Sequence, residues 1–287
     1  MNNPPPPEVV FPEDGSTTSS NTNNLVVRAL EEHGCFMAKY KKLELCHENL
    51  FRRLTMIFNL PPGTKERNVS DIPDFSYEQN HPVLRPLYES FGIREATSQE
   101  DTQNFITSMW PGGNNDIRND ILAYTRTAAV LEDMVRQIVF DHYGVRHDFQ
   151  TGYIFRMMKY KEEVRLGCSD RTNRMEFLAV LDLNKVDGLE MKYNGQWFQI
   201  DVKPSTFLIM AGRPLEDWSN GRIHPPELRV RMHRIAEERY SVGLFSYYDK
   251  GKIDKGKIDK GKIDKGKIDK GRIDKGKTEA SKKQVGN

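Results

Sequence analysis

Residues 178–212 read LAVLDLNKVDGLEMKYNGQWFQIDVKPSTFLIMAG, and this stretch decides the fold. Leu178–Leu183 is an apolar run of strand length. Val186–Met191 follows after a two-residue break. Asn194-Gly195 supplies the two residues that tolerate positive φ in a tight hairpin turn. Trp197–Val202 alternates as a strand with one buried face does, and Lys203-Pro204 breaks it. Thr206–Met210 is another apolar strand, ended by Ala211-Gly212. Downstream, Ser219-Asn220-Gly221 marks a second turn, and Leu228–Met232 and Arg239–Phe245 read as two more strands. Many short strands with regular turns predict a sandwich or jelly roll.

The motifs around this stretch bear a resemblance to a known family. Cys168-Ser169-Asp170, then VDGLEM at 186–191, GQW at 195–197, SNGRIHPPELRV at 219–230 and RYSVGLF at 239–245 resemble, in order, the plant 2-oxoglutarate/Fe(II)-dependent dioxygenases. The nearest branch is the one acting in glucosinolate side-chain modification and auxin oxidation. Upstream, the LPPGTKERN segment at 60–68, Tyr88–Gly92 (its substrate-side loop) and Phe105–Pro111 resemble further parts of the same pattern. The resemblance implies an α+β protein, a double-stranded β-helix (jelly roll) barrel backed by N-terminal helices, with Fe(II) and 2-oxoglutarate as cofactors.

In that family two imidazoles and a carboxylate bind iron on one face and leave the other open. The first His and the Asp are two apart because alternate strand residues point the same way. An Arg-x-Ser pair on the last strand holds the far carboxylate of 2-oxoglutarate, a task that suits the planar fork of arginine. The resemblance places the metal ligands at positions 168, 170 and 228 and the 2-oxoglutarate contacts at Arg239, Ser241 and Tyr160. Asp170, Arg239 and Ser241 match, but position 168 is Cys and position 228 is Leu. Leucine has no lone pair. Cys168 binds iron only as a thiolate, and a small buried hydrophobe is the alternative role. His224 and His233 flank position 228 as candidate substitutes, with a plain turn residue the competing role for His224. Tyr160 closes a Met158-Lys159-Tyr160 triplet where the family often has Asn-x-Tyr, and a mere strand aromatic is the competing reading. Gly212-Arg213 stands where the family has Gly-Asp, and one residue is inserted between Val230 and Arg239.

The expected organisation is a disordered Pro/Ser/Asn-rich segment over 1–24, a helical part over 25–148, the jelly roll over 149–248 and a low-complexity tail over 249–287. Glu8–Pro12 reads as a remnant of the family's first strand. Ile117–Tyr143 carries Ile121, Tyr124, Ala128, Leu131, Val135 and Ile138 at three- and four-residue spacing, a long helix backing the barrel. The tail repeats Asp-Lys-Gly-Lys-Ile, a period that suits neither helix nor strand. It holds fourteen Lys/Arg against seven Asp/Glu, a net of +7, leaving 29 against 34, or −5, for the rest. It has no aromatic residues for stacking on bases, which argues against nucleic-acid binding. Three cysteines without paired spacing suit a reduced protein. The absence of a signal-like start or a membrane-length apolar run sets the expectation of a cytoplasmic monomer acting on a small molecule.

Three functions follow from this reading. The first is a dioxygenase-like protein of plant specialised or hormone metabolism without turnover. The second is an active Fe(II)/2-oxoglutarate oxygenase with a non-standard metal site. The third is a non-enzymatic binding protein using the basic tail.

Overall fold

A 29-residue helix and a central pair of strands organise the chain. The structure is a computed structural model and describes residues 6–13, 16–71, 74–81, 85–144, 151–160, 171–172, 177–184, 186, 188–201, 203, 205–231 and 238–248, all within one unit. In chain order the elements are β1 (Glu8–Val10), α1 (Ser20–His33), β2 (Cys35–Lys39), α2 (Lys41–Phe58), α3 (Pro62–Lys65), β3 (Glu78–His81), β4 (Arg85–Arg94), α4 (Gln99–Met109) and α5 (Asn115–Tyr143). There follow β5 (Thr151–Tyr160), β6 (Arg171–Thr172), β7 (Leu178–Leu183), β8 (Leu189–Tyr193), β9 (Gln196–Gln199), β10 (Thr206–Ala211), α6 (Arg213–Trp218), β11 (Glu227–Val230) and β12 (Arg239–Tyr248).

The strands form two sheets, an eight-stranded one in the order β1-β2-β10-β7-β12-β5-β4-β3 and a four-stranded one in the order β6-β11-β8-β9. Because strand side chains alternate between faces, the central strands β2, β10, β7, β12 and β5 of the large sheet feed two cores. Its outer residues, among them Phe36, Phe155, Val180, Ile209 and Leu244, pack with the helices in one cluster. Its inner residues, among them Met37, Met158, Leu181, Met210 and Phe245, pack against Leu189, Met191, Leu228 and Val230 of the small sheet in a second cluster. This double burial is why β7 is buried along both faces and apolar but for Asp182.

The helices start and stop where local chemistry requires. The Ser19 side chain accepts from Thr22 N at the start of α1, and Asn114 from Ile117 N at the start of α5, each at 3.2 Å. Gly34 ends α1 at φ 70° with the His224 carbonyl oxygen 2.0 Å from where a Cβ would sit, so only glycine fits. Ile121, Tyr124, Ala128, Leu131 and Val135 of α5 are fully buried, as the spacing predicts. The Asn194-Gly195 turn (φ 48° and 79°) joins β8 to β9.

The expectation of disorder over 1–24 is corrected for residues 6–13 and 16–24, where the remnant read at Glu8–Pro12 includes a paired strand. Residues 8–10 form β1, which pairs in parallel with β2, and Val9 and Phe11 are buried; helix α1 already begins at Ser20. Two apolar side chains reaching the outer core suffice to order so short a strand. Tyr88–Gly92, expected as a loop, lies within β4, paired along its length with β5. The strand expected over 197–202 ends at Gln199.

Candidate functional site

The barrel interior carries a polar end built by one strand pair. In the β5–β12 ladder Arg239 stands opposite Tyr160, and Ser241 opposite Met158. Period-two alternation therefore turns all four side chains to the same, inner face. Arg239 and Ser241 are each 1% exposed. The Arg239 guanidinium lies over the Tyr160 ring at 4.6 Å, close enough for a cation–π contact. The Tyr160 hydroxyl is 3.9 Å from the Met158 sulfur. Lys159 and Tyr240, one residue out of phase, point the other way, where Lys159 pairs with Glu238 at 2.5 Å.

The small sheet closes over this end. Gly188 (φ 137°) packs so tightly that a Cβ would sit 2.9 Å from the Arg231 carbonyl oxygen and 3.5 Å from Arg239 Nε. Arg231 N donates to Gly188 O at 2.7 Å, continuing the β8–β11 ladder. The glycine of the VDGLEM motif thus brings the small sheet's backbone against the arginine.

Arg156 also lies on the inner face, two residues before Met158. Its guanidinium is bound by Asp74, by Glu78 at 3.4 Å and by the Ser90 hydroxyl at 3.0 Å. The flanking residues are glycines, Gly92 on β4 and Gly243 on β12, in register with Arg156. A Cβ on Gly92 would meet the Asp74 carbonyl oxygen at 2.2 Å. The chain at 74–78 is therefore strapped across this end, and Phe75 packs edge-on against Tyr247 at 5.8 Å. The motifs did not point to this strap, although a charged residue in phase with Met158 and Tyr160, on a strand face otherwise without charge, was a usable signal.

The metal position is hydrocarbon. Leu228 on β11 is 8% exposed, belongs to the inner cluster and pairs across the ladders with Met191 on one side and Arg171 on the other. Strand β6 begins one residue after Asp170 in the sequence, so its register against β11 brings the CSD motif's neighbour to position 228. Cys168, Asp170 and His233 lie outside the described residues. His224 does not face the interior cluster. Its ring is exposed, and Nδ1 lies 2.7 Å from Glu216 Oε1 on α6. Among the described residues no group of three or more His, Cys, Asp or Glu side chains could hold a metal ion. A saturated side chain at position 228 offers iron nothing to bind, so the donor there does not fit the family's metal. Arg239, Ser241 and Tyr160, by contrast, fit a carboxylate.

Cys35 shows what the interior has become. It is fully buried on the inner face, its thiol donates to the Met191 sulfur at 3.2 Å, and burial pushes its pKa up to about 12. The helix side of the large sheet holds its own polar network. There Asp182 is bound by His47 Nδ1 at 2.9 Å and by the Tyr124 hydroxyl at 3.2 Å.

Two stacked sheets, helices on the outside and an inward Arg-x-Ser facing a tyrosine define a jelly-roll oxygenase fold. Residues 153–246 match the 2OG-Fe(II) oxygenase superfamily. The chain is 33% identical over 246 residues to a probable 2-oxoglutarate-dependent dioxygenase, AOP1, of Arabidopsis thaliana, covering 79% of this chain and 74% of that one. It is 24% identical over 317 residues to a protein of the same plant described as a probable inactive 2-oxoglutarate-dependent dioxygenase, AOP2, covering 77% and 78%. Among solved structures it resembles the 2-oxoglutarate complex of dioxygenase for auxin oxidation 1 of Arabidopsis thaliana, with a TM-score of 0.74, 25% identity, and 84% and 92% of the two chains covered. The chain belongs to the 2-oxoglutarate/Fe(II)-dependent oxygenase family. No helix among the described residues is long and apolar enough to cross a membrane.

Proposed function

We propose that this chain is a dioxygenase-like protein of plant specialised or hormone metabolism that binds 2-oxoglutarate and does not turn it over. The observation that carries the reading is Leu228, a hydrocarbon packed into the inner cluster where the family resemblance places an imidazole. The carboxylate end is kept: Arg239 and Ser241 face inward beside Tyr160. Arginine would give a carboxylate two parallel charge-assisted hydrogen bonds, with the Ser241 hydroxyl as a third donor. The AOP and auxin-oxidation relatives support the metabolic setting, and the relative described as probably inactive is in keeping with loss of turnover. The reading takes the protein as a cytoplasmic monomer with a small-molecule ligand.

The test is calorimetric titration with 2-oxoglutarate, alongside succinate formation with Fe(II), ascorbate and 2-oxoglutarate. Measurable binding that weakens about ten- to a hundredfold in Arg239→Gln, the value of one charged hydrogen-bonding partner, with no succinate above a no-protein control, supports it. Succinate formation above that control would establish an active oxygenase and refute it.

A further inference from the structure

Arg156 is a charged side chain on the inner face of β5, and the chain itself lays an acid on it. This end of the barrel is separate from the one that holds Arg239. In the β5–β12 ladder the pairs Arg156–Gly243 and Tyr160–Arg239 are four residues apart, roughly 14 Å at about 3.4 Å per residue.

Three observations converge. The first is the path of the strap. From Ser76 onward it follows β4: Gly92 N donates to Ser76 O at 3.1 Å, and Glu78 stands opposite Ser90. Asp74 and Phe75 leave that edge and turn over the inner face. A Cβ on Gly92 would meet the Asp74 carbonyl oxygen at 2.2 Å and the Phe75 Cα at 2.8 Å, so this glycine makes the room for a two-residue flap. The second is what the flap presents. The Asp74 carboxylate binds the Arg156 guanidinium, while the Phe75 ring packs edge-on against Tyr247 and against the inner cluster. An acid and an aromatic ring, side by side in the chain, thus occupy one arginine and one tyrosine of the barrel. The third is how the flap is held. Arg156 is buried, but the side chains of Asp74 and Glu78 are 32% and 26% exposed. Glu78 lies 3.4 Å from the same guanidinium and the Ser90 hydroxyl 3.0 Å. With two carboxylates for one cation, Asp74 can leave without stranding a buried charge. Asp74 also sits at φ 72°, a conformation unfavourable for a residue with a side chain, so its contacts rather than its backbone keep it there.

A segment that fills a site with the groups of a ligand competes with that ligand. The ligand needs no standing void, because it takes the volume that the flap gives up. Its affinity is reduced by the fraction of molecules in which the flap is lifted, so removing the flap's two side chains unmasks the site. Arginine offers a carboxylate two parallel hydrogen bonds. Edge-to-face contact with Tyr247 favours an aromatic ring over an alkyl chain.

We infer that Arg156 and Tyr247 form a second binding site, for a small carboxylate that carries an aromatic ring, and that Asp74 and Phe75 occupy it as a built-in competitor. The probe is 3-phenylpropanoate, titrated calorimetrically into the full chain and into Asp74→Asn/Phe75→Ala. Asparagine keeps the tolerance for positive φ and loses the charge. The double variant should bind the probe about tenfold or more tightly than the parent does. Propanoate, without the ring, and 3-phenylpropanamide, without the charge, should each bind about tenfold more weakly than the probe. Arg156→Gln added to the double variant should abolish binding. Every variant is first checked for a cooperative thermal transition, and the two comparison ligands test the charge and ring contacts should the arginine variant fail to fold. Equal affinity in parent and double variant overturns the inference. Binding that survives Arg156→Gln, or an amide that binds as well as the acid, places the ligand elsewhere and also overturns it. The affinity for 2-oxoglutarate should be the same in parent and double variant. A gain for 2-oxoglutarate as large as that for the probe would mean that the flap covers the whole barrel rather than one site, and overturns the inference. Failure of both proteins to bind 2-oxoglutarate refutes the proposed function and leaves this site standing.

Discussion

Replacing Lys65 by Met should cost the protein a large share of its stability. The Lys65 ammonium is 7% exposed, donates to the Phe58 carbonyl at 3.1 Å and is paired with Glu89, itself 4% exposed. Tyr77 completes the group, its hydroxyl 2.6 Å from the same Glu89 oxygen and its ring 5.3 Å from the ammonium. Burial, and then Glu89, holds the Tyr77 phenol above its ordinary pKa. Lys65→Met keeps the packing but strands a buried carboxylate with one neutral donor. Removing one partner of a buried ion pair costs about 3–5 kcal/mol. For a folded unit of this size each kcal/mol moves Tm by about 2–4 °C, so the fall should be about 6–20 °C. The companion Lys65→Met/Glu89→Leu removes both charges and should recover most of the loss, because an apolar replacement of a buried pair is close to neutral. Circular dichroism melts of the three proteins decide the matter. A single variant within about 1 °C of the parent, or a double variant no better than the single, would refute the account of Glu89 as a charge held by Lys65.

Other expectations are as direct. Gly92→Ala should destabilise by about 1–3 kcal/mol in urea unfolding, since the new methyl meets the Asp74 carbonyl, a backbone atom that cannot swing aside; an unchanged midpoint would mean that the strap at 74–78 is loose. With its pKa pushed to about 12, Cys35 should be only about 10⁻⁴ thiolate at pH 8, so mass spectrometry after brief alkylation should find it unmodified in folded protein and modified after denaturation. Burial raises the Asp182 pKa despite its bonds to His47 and Tyr124, so the folded state holds that proton more tightly than the unfolded chain. The stability this confers is complete below about 3.8 and is lost as pH rises through the folded value. The Tm of Asp182→Asn relative to the parent should therefore climb between pH 4 and pH 7, and a flat or falling difference would contradict that direction.

Much of the barrel was legible because its signals are local. The run 178–183 is both apolar and short, the Asn194-Gly195 turn needs positive φ at both positions, and α5 repeats its apolar residues over many turns. Arg239, Ser241 and Tyr160 were identified by resemblance, and the ladder brings them to one face. The parts that were missed depend on distant partners. Strand β1 exists because β2 offers it an edge. Tyr88–Gly92 was expected as a loop from the resemblance alone; in β4 the small Ser90 and Gly92 leave room for Arg156 and for the chain at 74–75. The contact of Cys35 with Met191 joins residues 156 positions apart, and no spacing rule reaches that far.

Strand β12 borders both cores, and this bears on the order in which a protein of this kind sheds its chemistry. Its odd and even residues serve different masters: Val242 and Leu244 belong to the core shared with the helices, while Arg239, Ser241 and Phe245 look inward. A change at Arg239 therefore disturbs the most heavily supported strand of the molecule. Position 228 lies on a four-residue strand of the small sheet, and a leucine there simply joins a hydrophobic cluster. Mutation can thus erase the metal side at little cost to folding, while the carboxylate side is protected by the architecture itself. If the proposed function holds, that difference in support explains why the inward Arg239 and Ser241 remain while position 228 has become part of a hydrophobic cluster.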